Sequence, residues 1–180
     1  MTVRLAAAGL LCTLLSGAPV TLLDGEGRKQ SFNLEGQPTV VLFISAVCPV
    51  SNEYVDRMNR LYADFNAKGV RFLVVNSNVN ESGQEVREHA AAAGFPFPVY
   101  RDIRNSLADK LKATITPEAY LIDQAGTVRY QGPIDDARNP ARVKEDYLRE
   151  ALEAILAGHS IHRSSAKATG CTIKREKKTS

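Results

Sequence analysis

The chain has 180 residues, 44% of them hydrophobic and 24% charged, a composition that excludes a disordered chain and is typical of a folded domain with its own core. The formal net charge of +3 comes from the C-terminal end, where six Lys or Arg residues oppose one Glu from residue 163 onward. A slightly acidic body with a basic tail does not indicate a nucleic-acid-binding groove. We predict that the tail, residues 159–180, is a solvated, partly mobile terminus.

The N-terminus has the order of a secretory signal, with Arg4, an uncharged apolar run from Leu5 to Leu15, and the small residues Ser16 to Ala18. The run is shorter than the ~20 residues that a membrane-spanning helix needs. We therefore predict that residues 1–17 are a signal peptide and that the protein is exported to the periplasm or the extracellular space. The alternative is a buried helix in a cytoplasmic protein. Membrane contact is expected only through the export segment.

Strand and helix patterns alternate from residue 19 to residue 111, which indicates an α/β domain. Residues 39–44 form a continuous apolar run, typical of a strand buried on both faces. Ser82 and Glu85 have the spacing of a capping box at the start of a helix. The predicted elements are a strand hairpin over 20–23 and 29–32, a strand over 39–44, a helix over 50–65, a strand over 70–75, a helix over 82–93, a strand over 97–100 and a helix over 105–111.

A second hairpin and a last helix complete the predicted domain, which spans residues 18–158. The hairpin consists of strands over 119–122 and 127–130 around a glycine-containing turn. Asn139 has the character of an N-cap, and the proline after it suits the first helical position. A last helix is therefore predicted from there to Gly158.

The three cysteines, Cys12, Cys48 and Cys171, are dispersed and lack the pairing of zinc ligands. Cys48 lies between a buried predicted strand and the helix that follows it. At a helix N-terminus, unpaired N–H groups and a partial positive charge stabilise a thiolate and lower the cysteine pKa. Pro49 suits the first turn, and the Ser51 hydroxyl is expected to hydrogen-bond the sulfur. We therefore interpret Cys48 as reactive; the alternative is an inert buried cysteine.

The segment Phe43-Ile44-Ser45-Ala46-Val47-Cys48-Pro49-Val50-Ser51 resembles the active-site segment of thioredoxin, with Ser51 in place of the second cysteine of C-x-x-C. Further along, Ile115-Thr116-Pro117 precedes a predicted strand, as the cis-proline loop does in thioredoxin-like proteins. With the order of its elements, the chain resembles the alkyl hydroperoxide reductase/thiol-specific antioxidant and redoxin group over about residues 18–158.

This resemblance implies a thioredoxin-like three-layer sandwich with a central mixed sheet and an N-terminal hairpin. It also implies that Pro117 is cis and that the backbone of Thr116 faces Cys48 and binds the substrate chain. Ser45, Pro49 and Ser51 would support the reactive sulfur.

The chain departs from the peroxiredoxins of this group at two positions. A Thr or Ser lies three residues before their peroxide-reacting cysteine, and Ser45 matches it. Val41 replaces the proline that precedes this hydroxyl, and Pro117 stands in the place of the arginine that polarises the peroxide. A peroxidase needs positive charge near the developing oxyanion. Arg101 or Arg129 could supply it, but the sequence places neither beside the reactive cysteine.

Cys171 lies in the basic tail, and two-cysteine peroxiredoxins carry a resolving cysteine on such a C-terminal arm. If the tail folds back, Cys171 can form a disulfide with Cys48, and we expect Lys174 and Arg175 to lower the pKa of Cys171. The alternative is a passive tail cysteine. A C-x-x-S protein would then stop at a mixed disulfide and depend on an external thiol such as glutathione.

We therefore predict an enzyme, a thiol–disulfide oxidoreductase in which Cys48 is the nucleophilic thiolate and Cys171 the candidate resolving cysteine. One alternative is a thiol peroxidase that reduces hydroperoxides, and another is a non-catalytic binding module with an inert Cys48. The expected partners are protein or small-molecule thiols, disulfides or hydroperoxides. We predict no cofactor, metal or nucleic-acid partner and leave the oligomeric state open. Asp135 and Asp136 are interpreted as loop carboxylates.

Overall fold

The computed structural model describes residues 19–176, which contain nine strands and five α-helices. The strands are Val20–Leu23 (β1), Lys29–Phe32 (β2), Thr39–Ile44 (β3), Arg71–Asn76 (β4), Val99–Arg101 (β5), Ile115–Thr116 (β6), Glu118–Ile122 (β7), Val128–Gly132 (β8) and Cys171–Thr172 (β9). The helices are Pro49–Glu53 (α1), Val55–Phe65 (α2), Gly83–Ala92 (α3), Ser106–Leu111 (α4) and Tyr147–Leu156 (α5). The predicted signal peptide and Cys12 lie outside the described residues. Between residues 19 and 176, every helix is too short or too polar to cross a bilayer.

Seven of the strands form one mixed sheet in the order β2-β1-β5-β4-β3-β7-β8. At its centre, β3 runs parallel to β4 and antiparallel to β7, and β4 runs parallel to β5. The β1–β2 hairpin extends one edge of the sheet and the β7–β8 hairpin the other. The predicted α/β fold with a central mixed sheet and an N-terminal hairpin is therefore confirmed.

Strand β3 separates two apolar cores, because all six of its residues are buried. Val40, Leu42 and Ile44 pack in the cluster that holds the apolar faces of α2 and α5. Val41 and Phe43 pack in the opposite cluster, against α4. This alternation gives the three layers that we predicted, and it fixes the end of β3, where the chain enters the cysteine loop.

The helix predicted over residues 50–65 is two helices, α1 and α2, which meet at Tyr54. The N–H of Tyr54 bonds to the carbonyl of Ser51 at 3.1 Å, the tighter pattern of a 3₁₀ turn. The phenol of Tyr54 also bonds to Asp135 at 3.2 Å. One tightened turn does not interrupt the helical spacing of the apolar residues, and for this reason the sequence predicts a single helix where the structure has two.

The prediction of a helix from Asn139 to Gly158 is wrong for the first half of that range. Asn139 caps only a 3₁₀ turn, Pro140–Arg142, and α5 begins at Tyr147. Between them, the carboxylate of Asp136 accepts a hydrogen bond from the N–H of Lys144 at 2.9 Å. This segment therefore binds the preceding loop instead of continuing a helix.

The basic tail is docked on the domain, so the prediction of a solvated terminus is wrong for residues 164–176. The N–H of Ala166 bonds to the carbonyl of Gln131 on β8 at 3.1 Å, and the N–H of Ile173 bonds to the carbonyl of Thr114 at 2.9 Å. The side chain of Ile173 is 3% exposed and belongs to the apolar cluster on the α4 side of the sheet. The tail therefore crosses from β8 to β6 and is anchored by an apolar side chain.

Candidate active site

Cys48 lies between the end of β3 and the start of α1, and it is the N-cap of that helix. Its Sγ accepts a hydrogen bond from the N–H of Ser51 at 3.4 Å. Pro49 occupies the first helical position, as predicted. The Ser51 hydroxyl does not serve the sulfur as we expected but accepts a hydrogen bond from the N–H of Ser45 at 3.3 Å. The helix therefore contacts the sulfur through its backbone.

The loop before β7 reaches the same sulfur, although 68 positions separate it from Cys48. The Thr116–Pro117 peptide bond is cis, as the resemblance implies. The Cys48 thiol donates a hydrogen bond to the carbonyl of Thr116 at 3.2 Å. The fold therefore brings together the cysteine loop and the proline loop that the sequence singles out.

Cys171 lies opposite Thr116, because β9 pairs antiparallel with β6. The Thr116 hydroxyl donates a hydrogen bond to the carbonyl of Cys171 at 3.4 Å. Gly170 permits this approach, since a Cβ at that position would overlap the carbonyl oxygen of Thr116. The thiols of Cys171 and Cys48 are close enough for each to shift the pKa of the other. The docked tail therefore places a second thiol near the first.

The surroundings of Cys48 favour its thiolate. Burial raises the pKa of the Cys48 thiol. The neighbouring Cys171 side chain and the N–H of Ser51 favour the thiolate and outweigh burial, so this pKa lies below its ordinary value. A lowered pKa at a helix N-terminus is the environment of a reactive cysteine.

The pKa of Cys171 is shifted in the opposite direction to that of Cys48. The neighbouring Cys48 thiol, together with burial, raises the pKa of the Cys171 thiol. The charge of Lys174 opposes this rise without reversing it, and Arg175 pairs with Asp109 instead. The predicted lowering of the Cys171 pKa is therefore wrong, and Cys48 is the sulfur that ionises first.

The two thiols also differ in exposure. Cys48 is 1% exposed, whereas Cys171 is half-buried. The tail lies on the Thr116 side of Cys48, because β9 occupies the edge of β6 beside Pro117. This is the edge that the resemblance assigns to a substrate chain.

Glu81 is a part of the site that the sequence does not reveal. Its side chain is buried, and one carboxylate oxygen accepts a hydrogen bond from the Ser45 hydroxyl at 2.6 Å. The other accepts hydrogen bonds from the N–H of Ala46 at 2.7 Å and from the amide of Asn76 at 2.8 Å. Ser45 therefore holds the cysteine loop on Glu81. The only sequence signal is an acidic residue after β4, within a triplet that matches a glycosylation acceptor.

Replacing Glu81 by glutamine is expected to lower the free energy of unfolding by about 3 kcal/mol, because hydrogen bonds to a charged group contribute roughly 1.5–3 kcal/mol each. Glutamine keeps one acceptor oxygen but directs an N–H₂ group at donors. Urea denaturation of Glu81→Gln measures the loss. Glu88→Gln, on the exposed face of α3, is the matched control. Equal stability of the two variants would contradict this role for Glu81.

Asp135 is not the ordinary loop carboxylate that we expected. It is 3% exposed and forms an ion pair with Arg57 of α2 at 2.6 Å. The guanidinium of Arg57 also lies 3.5 Å from the centroid of the Tyr54 ring. These contacts tie α2 to the loop after β8, next to the proline loop.

Arg138, which the sequence analysis does not single out, is an arginine whose pKa is affected by the charge of Cys48. It forms two hydrogen bonds with the carboxylate of Glu53 on α1, at 2.8 and 2.5 Å. Glu53 raises the pKa of Arg138, and the charge of Cys48 adds a smaller contribution. Arg101 instead donates to a backbone carbonyl at 2.8 Å, and Arg129 pairs with a carboxylate in the β7–β8 turn at 3.1 Å. Neither of these two serves the reactive sulfur.

Comparison with known proteins agrees with the family resemblance that the sequence shows. The sequence profile of the AhpC/TSA family matches residues 18–131. Over 109 residues, the chain is 28% identical to the thiol-disulfide oxidoreductase ResA of Geobacillus thermodenitrificans. This alignment covers 60% of the chain and spans 62% of the length of that relative.

Solved structures confirm the thioredoxin-like fold. An uncharacterized conserved protein from Geobacillus kaustophilus is 29% identical, with a TM-score of 0.80 over 90% of each chain. A secreted disulfide oxidoreductase of Mycobacterium tuberculosis, 17% identical, shares the fold with a TM-score of 0.59 over 75% of this chain and 95% of its own.

Proposed function

Because this chain belongs to the AhpC/TSA family of thioredoxin-like proteins, we propose that it is a thiol–disulfide oxidoreductase that cycles between two thiols and a Cys48–Cys171 disulfide. The observation that carries this proposal is the position of Thr116 between the two cysteines: its carbonyl accepts the hydrogen bond of the Cys48 thiol, and its strand pairs it with Cys171. The reaction class is also that of the relative named ResA.

In the first step, the Cys48 thiolate attacks one sulfur of a partner disulfide. A bond forms between Cys48 and that sulfur, and the partner's other sulfur leaves as a thiolate. The lowered pKa of Cys48 supports this role, since the thiolate is the nucleophile. The N–H of Ser51 at 3.4 Å stabilises the negative sulfur before the attack.

In the second step, Cys171 loses its proton and attacks Cys48 in the mixed disulfide. The Cys48–Cys171 bond forms and the second partner thiolate leaves, so two electrons have passed from the protein to the partner. We assign Thr116 and Pro117 to the alignment of the two sulfurs, because the strand of Thr116 pairs with that of Cys171. An external dithiol or thiol restores the reduced protein.

The two alternative functions have less support. A peroxidase would use the Ser45 hydroxyl and an arginine at the sulfur, but Ser45 bonds to Glu81 and Arg138 is paired with Glu53. A non-catalytic module would leave the pKa of Cys48 at its ordinary value, and that pKa is lowered.

Export is part of the proposal. Disulfides persist in oxidising compartments, and the basic, apolar and small residues of the N-terminus have the order of a cleaved signal. We therefore propose that the cycle operates in the periplasm or outside the cell.

Peptide mapping tests the proposal. Reduced protein in a Cys12→Ser background is mixed with one equivalent of hydroxyethyl disulfide, quenched with acid and digested without reductant. We expect a Cys48–Cys171 peptide and the release of two equivalents of mercaptoethanol. A parallel sample with hydrogen peroxide separates the peroxidase alternative. Unmodified cysteines, or Cys48 held as a stable mixed disulfide, would contradict the proposed cycle.

A further inference from the structure

We propose that the exchange partner of the Cys48–Cys171 pair is a small, negatively charged disulfide or thiol, bound in the cavity beside Pro117. This inference rests on the proposed function and names the substrate class of the same site. It has three bases: the occupied edge of β6, the position of the cavity, and the charges on its wall.

The edge of β6 is not available to a protein substrate in this structure. Binding of an extended chain to a sheet edge requires unpaired backbone groups along that edge. Here, Ile115 faces Thr172 and Thr116 faces Cys171 in the β6–β9 register. The tail is held in place by the buried Ile173. A partner must therefore reach the thiols from another direction.

The cavity beside Pro117 has a volume of about 340 Å³ and is lined by chain neighbours of the thiol pair, not by the two cysteines themselves. Pro117 forms part of its wall, and the residue before Pro117 accepts the hydrogen bond of Cys48. Another part of the wall is the tail at Lys167 and Thr169, two to four residues before Cys171. This volume is at the lower end of the range of small-molecule sites, which is about 300–1,000 Å³. It suits a molecule of a few residues.

The cations of this cavity outnumber its available carboxylates. Arg138, Arg163 and Lys167 line it. Arg138 and Arg163 have partners, Glu53 and Glu145, on exposed surfaces, whereas Lys167 is exposed and forms no ion pair within residues 19–176.

Two carboxylates also line the cavity. Asp135 is paired with Arg57, whereas Asp136 accepts the backbone N–H of Lys144 and keeps its negative charge. The three lining cations still exceed these two carboxylates by one charge, so the wall favours an anion, and the charge of Lys167 is available to a carboxylate of the partner.

The reaction at this site is a complete two-electron exchange. The two protein thiols and one small disulfide give the Cys48–Cys171 disulfide and two small thiols. The two protons of the protein thiols end on the two products, so no further reagent is needed.

Three disulfides of different charge test the inference. The probes are glutathione disulfide, which is anionic, hydroxyethyl disulfide, which is neutral, and cystamine, which is cationic. We measure the rate at which each oxidises the reduced protein in the Cys12→Ser background, at low ionic strength. We expect glutathione disulfide to react faster than cystamine after correction for the intrinsic reactivity of each probe with a free cysteine.

Lys167→Glu is the decisive variant. Because exposed charge pairs have modest energies, we expect its rate with glutathione disulfide to fall about fivefold and its rate with cystamine to rise by a similar factor. The neutral probe should react at an unchanged rate. Lys29→Glu is the matched control, since Lys29 is also exposed but lines a different cavity, of about 610 Å³. This control should leave all three rates unchanged.

The outcomes separate the inference from the proposed function. If hydroxyethyl disulfide oxidises the protein but charge has no effect, or if Lys167→Glu and Lys29→Glu behave alike, the anionic site is wrong and the redox cycle stands. If none of the three disulfides oxidises the protein, both are wrong.

Discussion

Cys48→Ser protein is expected to lose disulfide exchange completely, whereas Cys171→Ser protein is expected to stop at a mixed disulfide on Cys48. The two results differ because Cys48 has the lowered pKa and Cys171 acts only after a bond to Cys48 exists. Intact-mass spectrometry after addition of hydroxyethyl disulfide distinguishes them. In the Cys12→Ser background, Cys48→Ser should remain unmodified over the time in which Cys171→Ser gains one adduct.

Single-substituted proteins also reveal the order of ionisation. The alkylation rate of Cys48 in Cys171→Ser, measured against pH, should have a lower midpoint than that of Cys171 in Cys48→Ser. Removal of either cysteine also removes the mutual effect of the two thiols, so the difference then rests on the N–H of Ser51. An adduct on Cys171 in Cys48→Ser, formed as fast as the wild-type disulfide, would reverse the assigned roles.

Gly170→Ala is expected to displace the tail and expose Cys48 while leaving both cysteines in place. The new Cβ would overlap the carbonyl oxygen of Thr116, and backbone atoms cannot move aside as a flexible side chain can. Overpacking of this kind costs about 1–3 kcal/mol, which is roughly a fivefold to 140-fold change in the equilibrium between docked and displaced tail. The alkylation rate of Cys48 should rise by a similar factor, and oxidation should give less of the Cys48–Cys171 disulfide.

The control for this experiment is Gly25→Ala. A Cβ at Gly25 meets only the side chain of Arg87, at 3.6 Å, which is an ordinary contact. This variant should keep the wild-type alkylation rate. If Gly170→Ala also keeps that rate, the tail does not limit access to Cys48.

The parts of the site that could be predicted from sequence lie at the ends of strongly apolar segments. Cys48 follows β3, whose six residues are all buried, and Pro117 precedes β7, whose five residues are all buried. The apolar pattern of such a strand can be recognised from the local sequence, so the loop at its end can be located from sequence as well. That the cysteine loop and the proline loop meet at the sulfur of Cys48 was implied only by the resemblance, because a contact between residues 68 positions apart leaves no local sequence pattern.

The docking of the tail and the role of Glu81 could not be predicted in this way. Strand β9 has two residues, too few for a periodic pattern, and its pairing depends on burial of Ile173 and on the missing side chain of Gly170. Glu81 is satisfied by Ser45 and by Asn76, which come from two other parts of the chain. A charged residue in a polar triplet indicates a surface loop unless these partners are known.

In the proposed cycle, the docked tail also fixes the effective molarity of Cys171. A short flexible tether would present Cys171 to Cys48 at a concentration of the order of millimolar. Docking through Ile173 and β6 removes most of the tether's freedom, so we expect a local concentration well above that value. An external thiol at lower concentration would then compete poorly for Cys48, and a mixed disulfide there would be short-lived. The tail would thus protect the protein from accumulating as a dead-end adduct with small thiols.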